Sequence, residues 1–332
     1  MDGVGQLVRE GTAPAIPSSP SVSRVFPRVV DAVHPTDPEP HMNGTARSLV
    51  GIVVSVSLGL VVAFAAGDGG ARAGGLPVAV WCALGAFAVN WVAFVPAWRR
   101  HDERFYDLVG SLTYLSVLVL AVGLAGGVST RGAVLVGLVA VWTLRLGSFL
   151  FRRVHQDGGD GRFDRIKYDA LAFLSTWTVQ GLWVVVTAAA ALAAIADGDA
   201  AGGLDAVAVV GIAVWVAGFA VEVVADRQKR AFRRDPANRG RFITTGLWAW
   251  SRHPNYFGEI TLWAGVALIA LGALDGWQYA TLISPIFVFL LITRVSGVPL
   301  LEARATERWG DDPEFQAYVE RTPVLVLRPP RP

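Results

Sequence analysis

Apolar residues in this chain fall in blocks of about twenty, not in the alternation of strands or the one-sided stripe of a soluble helix. From residue 48 onward eight such blocks lie at about 48–67, 77–97, 107–125, 132–151, 171–195, 204–225, 255–274 and 277–296. A hydrocarbon core about 30 Å thick takes roughly 20 residues of helix, and a helix satisfies its own backbone there. The pattern therefore predicts an all-α fold, a polytopic transmembrane helix bundle of about eight spans over residues 45–325. Residues 1–44 hold many Pro and Ser and show no period, which predicts a disordered tail. They contain no short apolar core with a cleavage site, so they do not read as a signal peptide. Met42 stands just before a short polar lead into the first span, so translation could start there instead of at Met1. Residues 326–332 read as a flexible C-terminal tail.

Composition agrees: 53% of residues are hydrophobic and only 17% charged, which excludes an ordinary soluble domain. A net charge of +2 gives no ground for a nucleic-acid partner. The distribution of Lys and Arg says more. Loops near 99–104, 152–167 and 226–254 and the C-terminal segment are basic, whereas the loops between them carry Arg72 alone, Arg131 alone, or only Asp197 and Asp199. Under the positive-inside rule every second loop and both termini are cytoplasmic, as in a multi-pass protein of a bacterial inner (plasma) membrane. The single Cys82 sits in an apolar block, which excludes an intrachain disulfide and a cysteine-built metal site. The five histidines lack metal-ligand spacing, so no metal is expected; no P-loop or strand-borne G-x-G-x-x-G is present.

This topology gathers the polar residues of the spans on one membrane face. Asp107 opens the third span, Arg145 lies near the end of the fourth, Glu222 and Asp226 close the sixth, Asn255 and Glu259 open the seventh and Arg294 closes the eighth. A cytoplasmic-face cavity accounts for that convergence better than scattered ion pairs. The stretch from Thr245 to Glu259 is its centre. Pro254 suits the first turn of a helix, with Ser251 as a cap before it. Asn255 and Glu259, four apart, then share a face. A carboxylate inside a span costs roughly 3 kcal/mol near the bilayer centre, so Glu259 should face a wet interior. Eight basic side chains between Arg227 and Arg252, with the helix start at Pro254, make an anion site for a nucleotide diphosphate or an acidic lipid headgroup. The spacing Glu222, Asp226, Arg230, Arg233 marks one face of a helix that continues beyond the membrane, and intrahelical salt bridging would explain it equally. Residues 299–318 read as an amphipathic helix and turn at the membrane surface.

The run Gly246-Leu247-Trp248, Ser251-Arg252-His253-Pro254-Asn255-Tyr256-Phe257-Gly258-Glu259, together with Gly297-Val298-Pro299-Leu300-Leu301-Glu302, resembles bacterial membrane proteins of the DUF1295 group. That group is related to the C-terminal domain of steroid 5α-reductases and, more distantly, to isoprenylcysteine carboxyl methyltransferases. The resemblance covers about residues 100–325. It implies NADPH contacts at Asp226, Arg233, Arg241, Asn255 and Glu259, with Arg252, His253, Tyr256 and Glu302 in the same motifs. The family's catalytic glutamate aligns loosely with Asp107. Its catalytic tyrosine falls on Trp142, which is no practical proton donor; Tyr106 or Tyr114 would have to replace it. The reading that follows is an NADPH-dependent reductase of the C=C bond of a lipid-like or steroid-like enone. The same motifs leave open an S-adenosylmethionine-dependent methyltransferase, or a non-catalytic protein that binds membrane lipids. No feature fixes an oligomeric state.

Overall fold

The computed structural model describes residues 44–157 and 163–330. The expected disordered tail lies outside the described residues apart from Gly44, as does the choice between Met1 and Met42. The helices are α1 (Gly44–Ala66), α2 (Val78–Arg100), α3 (Tyr106–Leu124), α4 (Thr130–Asp157), α5 (Ala170–Ala196), α6 (Ala206–Arg234), α7 (Pro254–Leu271), α8 (Ile283–Leu290), α9 (Gly297–Trp309) and α10 (Pro313–Arg321). A two-residue hairpin, β1 (Arg72–Ala73) and β2 (Leu76–Pro77), joins α1 to α2. Seven helical segments are long and apolar enough to cross a bilayer: α1 to α6 and the continuous segment from Gly276 to Trp309. This is an integral multi-pass membrane protein.

The seventh expected span, 255–274, is present as α7 but is not among the segments long and apolar enough to cross a bilayer. α7 is a helix of 18 residues, but its first two turns carry Asn255, Tyr256 and Glu259, so it falls short of the apolar length of the others. The last span is also not one regular helix. It begins with a 3₁₀ turn (Gly276–Leu282), runs through α8, loosens into a π-helical turn (Leu291–Val295) and resumes as α9. The amphipathic stretch at 299–318 is the end of α9 and most of α10.

α5 is the central column: every residue from Val184 to Ala196 is buried, and its small alanines let neighbouring helices close in. The tightest pairing is between α6 and α7. A Cβ placed on Gly218 would lie 2.5 Å from the backbone N of Leu262 and 2.7 Å from the carbonyl O of Gly258. A Cβ on Gly258 would lie 2.6 Å from both the backbone N of Glu222 and the carbonyl O of Gly218. Seven residues away on each helix the arrangement repeats at Gly211 and Gly265, where a Cβ on Gly265 would lie 2.6 Å from the backbone N of Trp215. The two antiparallel helices thus meet backbone to backbone along one seam.

The end of the bundle away from the basic loops is closed. Arg131 of α4 is buried, donates to the carbonyls of Ala201 (3.1 Å), Gly203 (2.8 Å) and Ile269, and pairs with Asp205 at 2.9 Å. Gln278 donates to Asp197 at 2.9 Å, and Asp68 accepts from the backbone N–H of Trp277 at 2.9 Å.

Replacing Gly258 by Ala forces the α6–α7 seam apart and should destabilise the protein by about 1–3 kcal/mol or more, the usual cost of overpacking. Thermal denaturation in detergent should show a clear fall in Tm. Gly137→Ala on the exposed face of α4, where an added Cβ meets nothing within 4 Å, should be neutral. Equal effects of the two changes would show that the seam is not under steric constraint.

Candidate functional site

At the end of the bundle that carries the basic loops, the starts of α3, α5 and α7 and the ends of α4, α6 and the last span surround a cavity of about 630 Å³. α3 contributes Tyr106, Asp107, Ser111 and Tyr114; α4 contributes Trp142 and Phe149; α5 contributes Gln180 and Trp183. α6 contributes Glu222, Asp226 and Arg233, and α7 contributes Asn255, Tyr256 and Glu259. Leu291, Val295, Ser296, Leu300 and Arg304 form the remaining wall.

A single guanidinium organises the base. Arg145 of α4 pairs with both Glu222 and Asp226, which stand one turn apart on α6. The second oxygen of Glu222 accepts the indole N–H of Trp142 at 3.2 Å. The α6 carboxylates therefore bridge to α4 and not to Arg230 or Arg233 of their own helix, so intrahelical salt bridging does not explain their spacing. Arg230 lies instead over the ring of Phe149, 4.8 Å from its centroid. Glu259 adds a further carboxylate from α7, brought alongside by the Gly258–Glu222 backbone contact. Arg233 and Arg304 are exposed residues of the cavity wall. The cavity thus has an acceptor-rich base and a cationic rim.

An aromatic cluster seals the deep side. Trp142 meets Tyr114 edge-on at 5.3 Å and Trp263 edge-on at 5.0 Å. The two candidate hydroxyls differ. Tyr106 donates to the carbonyl of Thr176 at 3.0 Å, which ties α3 to α5. The buried Tyr114 hydroxyl, beside Thr187 and Trp183, has no partner at hydrogen-bonding geometry.

The loop before α7 is fixed from behind. Arg252 pairs with Glu302 at 2.9 Å, and Nε2 of His253 lies 2.7 Å from the other oxygen of Glu302. Burial pulls the pKa of His253 below the ordinary histidine value, against the upward pull of Glu302. The imidazole stacks on Tyr256 at 5.7 Å. Ser251 does not cap α7. Its hydroxyl accepts from the backbone N–H of His253 at 3.1 Å and donates to the carbonyl of Leu325 at 2.8 Å, and the N-cap position itself, His253, makes no side-chain cap bond. The backbone N–H of Arg252 donates to Pro323 (2.9 Å), that of Arg328 to Trp250 (3.0 Å), and the Tyr318 hydroxyl to Trp248 (2.7 Å). The C-terminal segment is a strap under this loop.

Of the residues singled out from sequence, Asp107, Tyr106, Tyr114, Asp226, Arg233, Asn255, Tyr256 and Glu259 come together on the cavity wall. Arg252, His253 and Glu302 do not line it; they form the buried cluster that anchors the loop. Arg241 lines a separate small cleft with Phe242, Trp309, Asp312 and Glu314. Arg294 is exposed and is not among the lining residues. Sequence reasoning did not single out Gln180, Trp183 or Ser296. A glutamine in an otherwise apolar span is a signal that could have found the first.

The family described as "Protein of unknown function (DUF1295)" matches residues 93–322. The chain is 28% identical over 117 residues to a probable O-methyltransferase, ustE, of Ustilaginoidea virens, a match that covers 35% of this chain and 39% of that protein. It is 31% identical over 117 residues to 3-oxo-5-alpha-steroid 4-dehydrogenase 1 of Bos taurus, which covers 35% of this chain and 40% of that one. The chain thus spans about two fifths of the length of these relatives. No solved structure matches.

Two outcomes follow from the buried charges. Arg145→Met leaves Glu222 and Asp226 without their cation and should cost about 3–5 kcal/mol, the usual penalty for breaking a buried pair. Glu222→Gln added to Arg145→Met should recover part of the lost Tm; no recovery would show that the cluster is not what holds α4 to α6. A histidine whose folded pKa is depressed takes its proton more readily in the unfolded chain, so its contribution is complete above pH ~6.5 and declines as pH falls below that. The wild type should therefore lose Tm between neutral pH and about pH 5.5 more steeply than His253→Gln, as read by parallel melts.

Proposed function

The chain belongs to the DUF1295 family, and from that premise we propose that it is an integral membrane NADPH-dependent reductase acting on the C=C bond of a lipid-like or steroid-like enone. The observation that carries this reading is the cavity itself. Its volume of about 630 Å³ suits a small-molecule site, and its acceptor-rich base and arginine rim match the two ends of a nucleotide cofactor. The naming of the bovine relative as a steroid dehydrogenase supports the same direction.

The chain's donor set fits such a cofactor. Arg233 and Arg304 would hold phosphate oxygens, for which the planar guanidinium is suited. Asn255 and Glu259, one turn apart on α7, would take its uncharged N–H and O–H groups, such as a carboxamide or ribose hydroxyls. Glu259 would not meet the phosphates, where like charges repel. Held by these residues, NADPH would supply the hydride that reduction of the enone's β-carbon requires. The remaining work belongs to the protein. The Tyr114 hydroxyl, which has no partner of its own, would donate to the substrate's carbonyl oxygen and stabilise the charge that develops there. A proton must then reach the α-carbon, with Asp107 at the mouth of α3 as the carboxyl group to relay it. Tyr106, whose proton is held by Thr176, is a positioning residue in this scheme. Trp142 fixes Glu222 through its indole N–H.

A second reading, an S-adenosylmethionine-dependent methyltransferase, is favoured by one feature: Trp142 stands where a proton-donating tyrosine would, and the acid-rich base suits a sulfonium cation.

Titration of purified protein with NADPH, NADH and S-adenosylmethionine, followed by thermal shift or calorimetry, separates the two. NADPH should bind more tightly than NADH, because an arginine pair to its extra phosphate adds about 1.5–3 kcal/mol. Arg233→Ala or Arg304→Ala should narrow that difference, and Glu259→Gln should weaken both nucleotides without unfolding the protein. Stabilisation by S-adenosylmethionine alone would overturn the reductase reading, and no response to any of the three would favour a non-catalytic lipid-binding role.

A further inference from the structure

Two apolar residues of the cavity lining, Val179 and Val295, are also exposed at the surface of the bundle. α5 and α8 are in contact deep in the bundle: the Ser284 hydroxyl donates to the Thr187 carbonyl, and Phe287 packs against the cluster of Phe87, Leu182 and Val186. Two turns further toward the basic end the same helices carry Val179 and Trp183 on one side and Leu291 and Val295 on the other, all lining the cavity. Val179 is 38% exposed and Val295 67% exposed. The wall between them is apolar.

The helix bounding this gap is irregular at that level. Leu291–Val295 is a π-helical turn, and Ser296 leaves helical geometry at φ −125°, ψ −96°. The backbone N–H of Ser296 and its hydroxyl both reach the carbonyl of Leu291, at 2.9 and 3.2 Å. Gly297 then lies against the ring of Tyr256, where a Cβ would come within 2.8 Å. Such π-turns concentrate at functional sites and bend their helix. Here the irregular turn lies at the level where Val295 is exposed and lines the cavity.

Depth identifies the occupant. At 1.5 Å per residue, Val179 lies about 25 Å along α5 from Ala196, and Val295 about 28 Å along its span from Gly276. Both therefore sit near the edge of a hydrocarbon core about 30 Å thick. A molecule in the bilayer with an apolar body and a polar head presents its head at this level. Resting on the reading of the cavity as a small-molecule site, we propose that the gap between α5 and the Leu291–Gly297 turn is a lateral portal, through which a single-chain, lipid-like substrate enters the cavity head first from the bilayer.

The test uses the full chain in phosphatidylcholine nanodiscs and a long-chain fatty alcohol bearing a mid-chain diazirine. After irradiation, adducts are mapped by peptide mass spectrometry. The wild type should carry adducts on the inner wall, at Tyr114 and Leu146, besides those on its lipid-facing perimeter. Val295→Trp and Val179→Trp, on opposite sides of the gap, should each reduce the inner adducts several-fold while perimeter adducts and Tm stay unchanged. Val210→Trp, on the exposed face of α6, should change nothing. Inner adducts that persist in both portal variants, or none in the wild type, would overturn the proposal. NADPH thermal shifts on the same samples keep the two readings apart: portal-dependent labelling without any NADPH response refutes the cofactor assignment and leaves the portal standing.

Discussion

The site depends on the backbone contact between α6 and α7. Gly218 and Gly258 allow the two helices to touch where any side chain would hold them apart. Glu222 is the residue one turn after Gly218, and Glu259 follows Gly258 directly, so the seam itself brings the two carboxylates to the same level. In a bilayer the hydrophobic effect gives no preference for helix against helix over helix against lipid, so close packing of small residues must supply the cohesion. Two such contacts, seven residues apart on each helix, fix both the distance and the rotation of the pair. Rotation matters most, because turning α7 by one residue would swing Asn255 and Glu259 off the cavity wall.

Gathering carboxylates there is costly, and the protein compensates in three ways. Arg145 bonds Glu222 and Asp226 together, Trp142 donates to the remaining oxygen of Glu222, and Glu259 lines the cavity instead of being packed into the seam. The arrangement depends on α4, whose single guanidinium holds both carboxylates of α6. The opposite end of the bundle uses the same device for a different result. Arg131 is buried and its guanidinium is taken up by three carbonyls and Asp205.

Much of this was legible from the chain alone, because a bilayer permits few solutions. The apolar blocks gave helices whose ends agree with the expected ones within a few residues at most places, and loop charge placed the polar groups of the spans at one end. The failures have physical causes. The π-turn at Leu291–Val295 has no signature in an apolar run, where any helix type buries the same surface. Arg252, His253 and Glu302 carry the motif's most conspicuous charges, and their chemistry suggested cofactor contact. In the structure they pair with one another away from the cavity wall, with Arg252 Nε and His253 Nδ1 left without a partner, and the sequence pattern alone does not reveal that pairing with a distant helix. Glu222 and Asp226 illustrate the same limit: their spacing allowed pairing within α6, and the geometry pairs them with α4.

The strap beneath the Trp248–His253 loop ties the site to the order in which the chain is made. The partners of that loop, Tyr318, Pro323, Leu325 and Arg328, are synthesised some seventy residues after it. The loop therefore has nothing to rest on until well after α7 itself has been made. A product interrupted between the last span and the strap would be threaded through the bilayer correctly and yet hold a loose loop where the helix α7 begins. Fixing of the loop at the start of α7 is therefore among the late events in the making of the described residues, and it depends on segments that lie far from it along the chain.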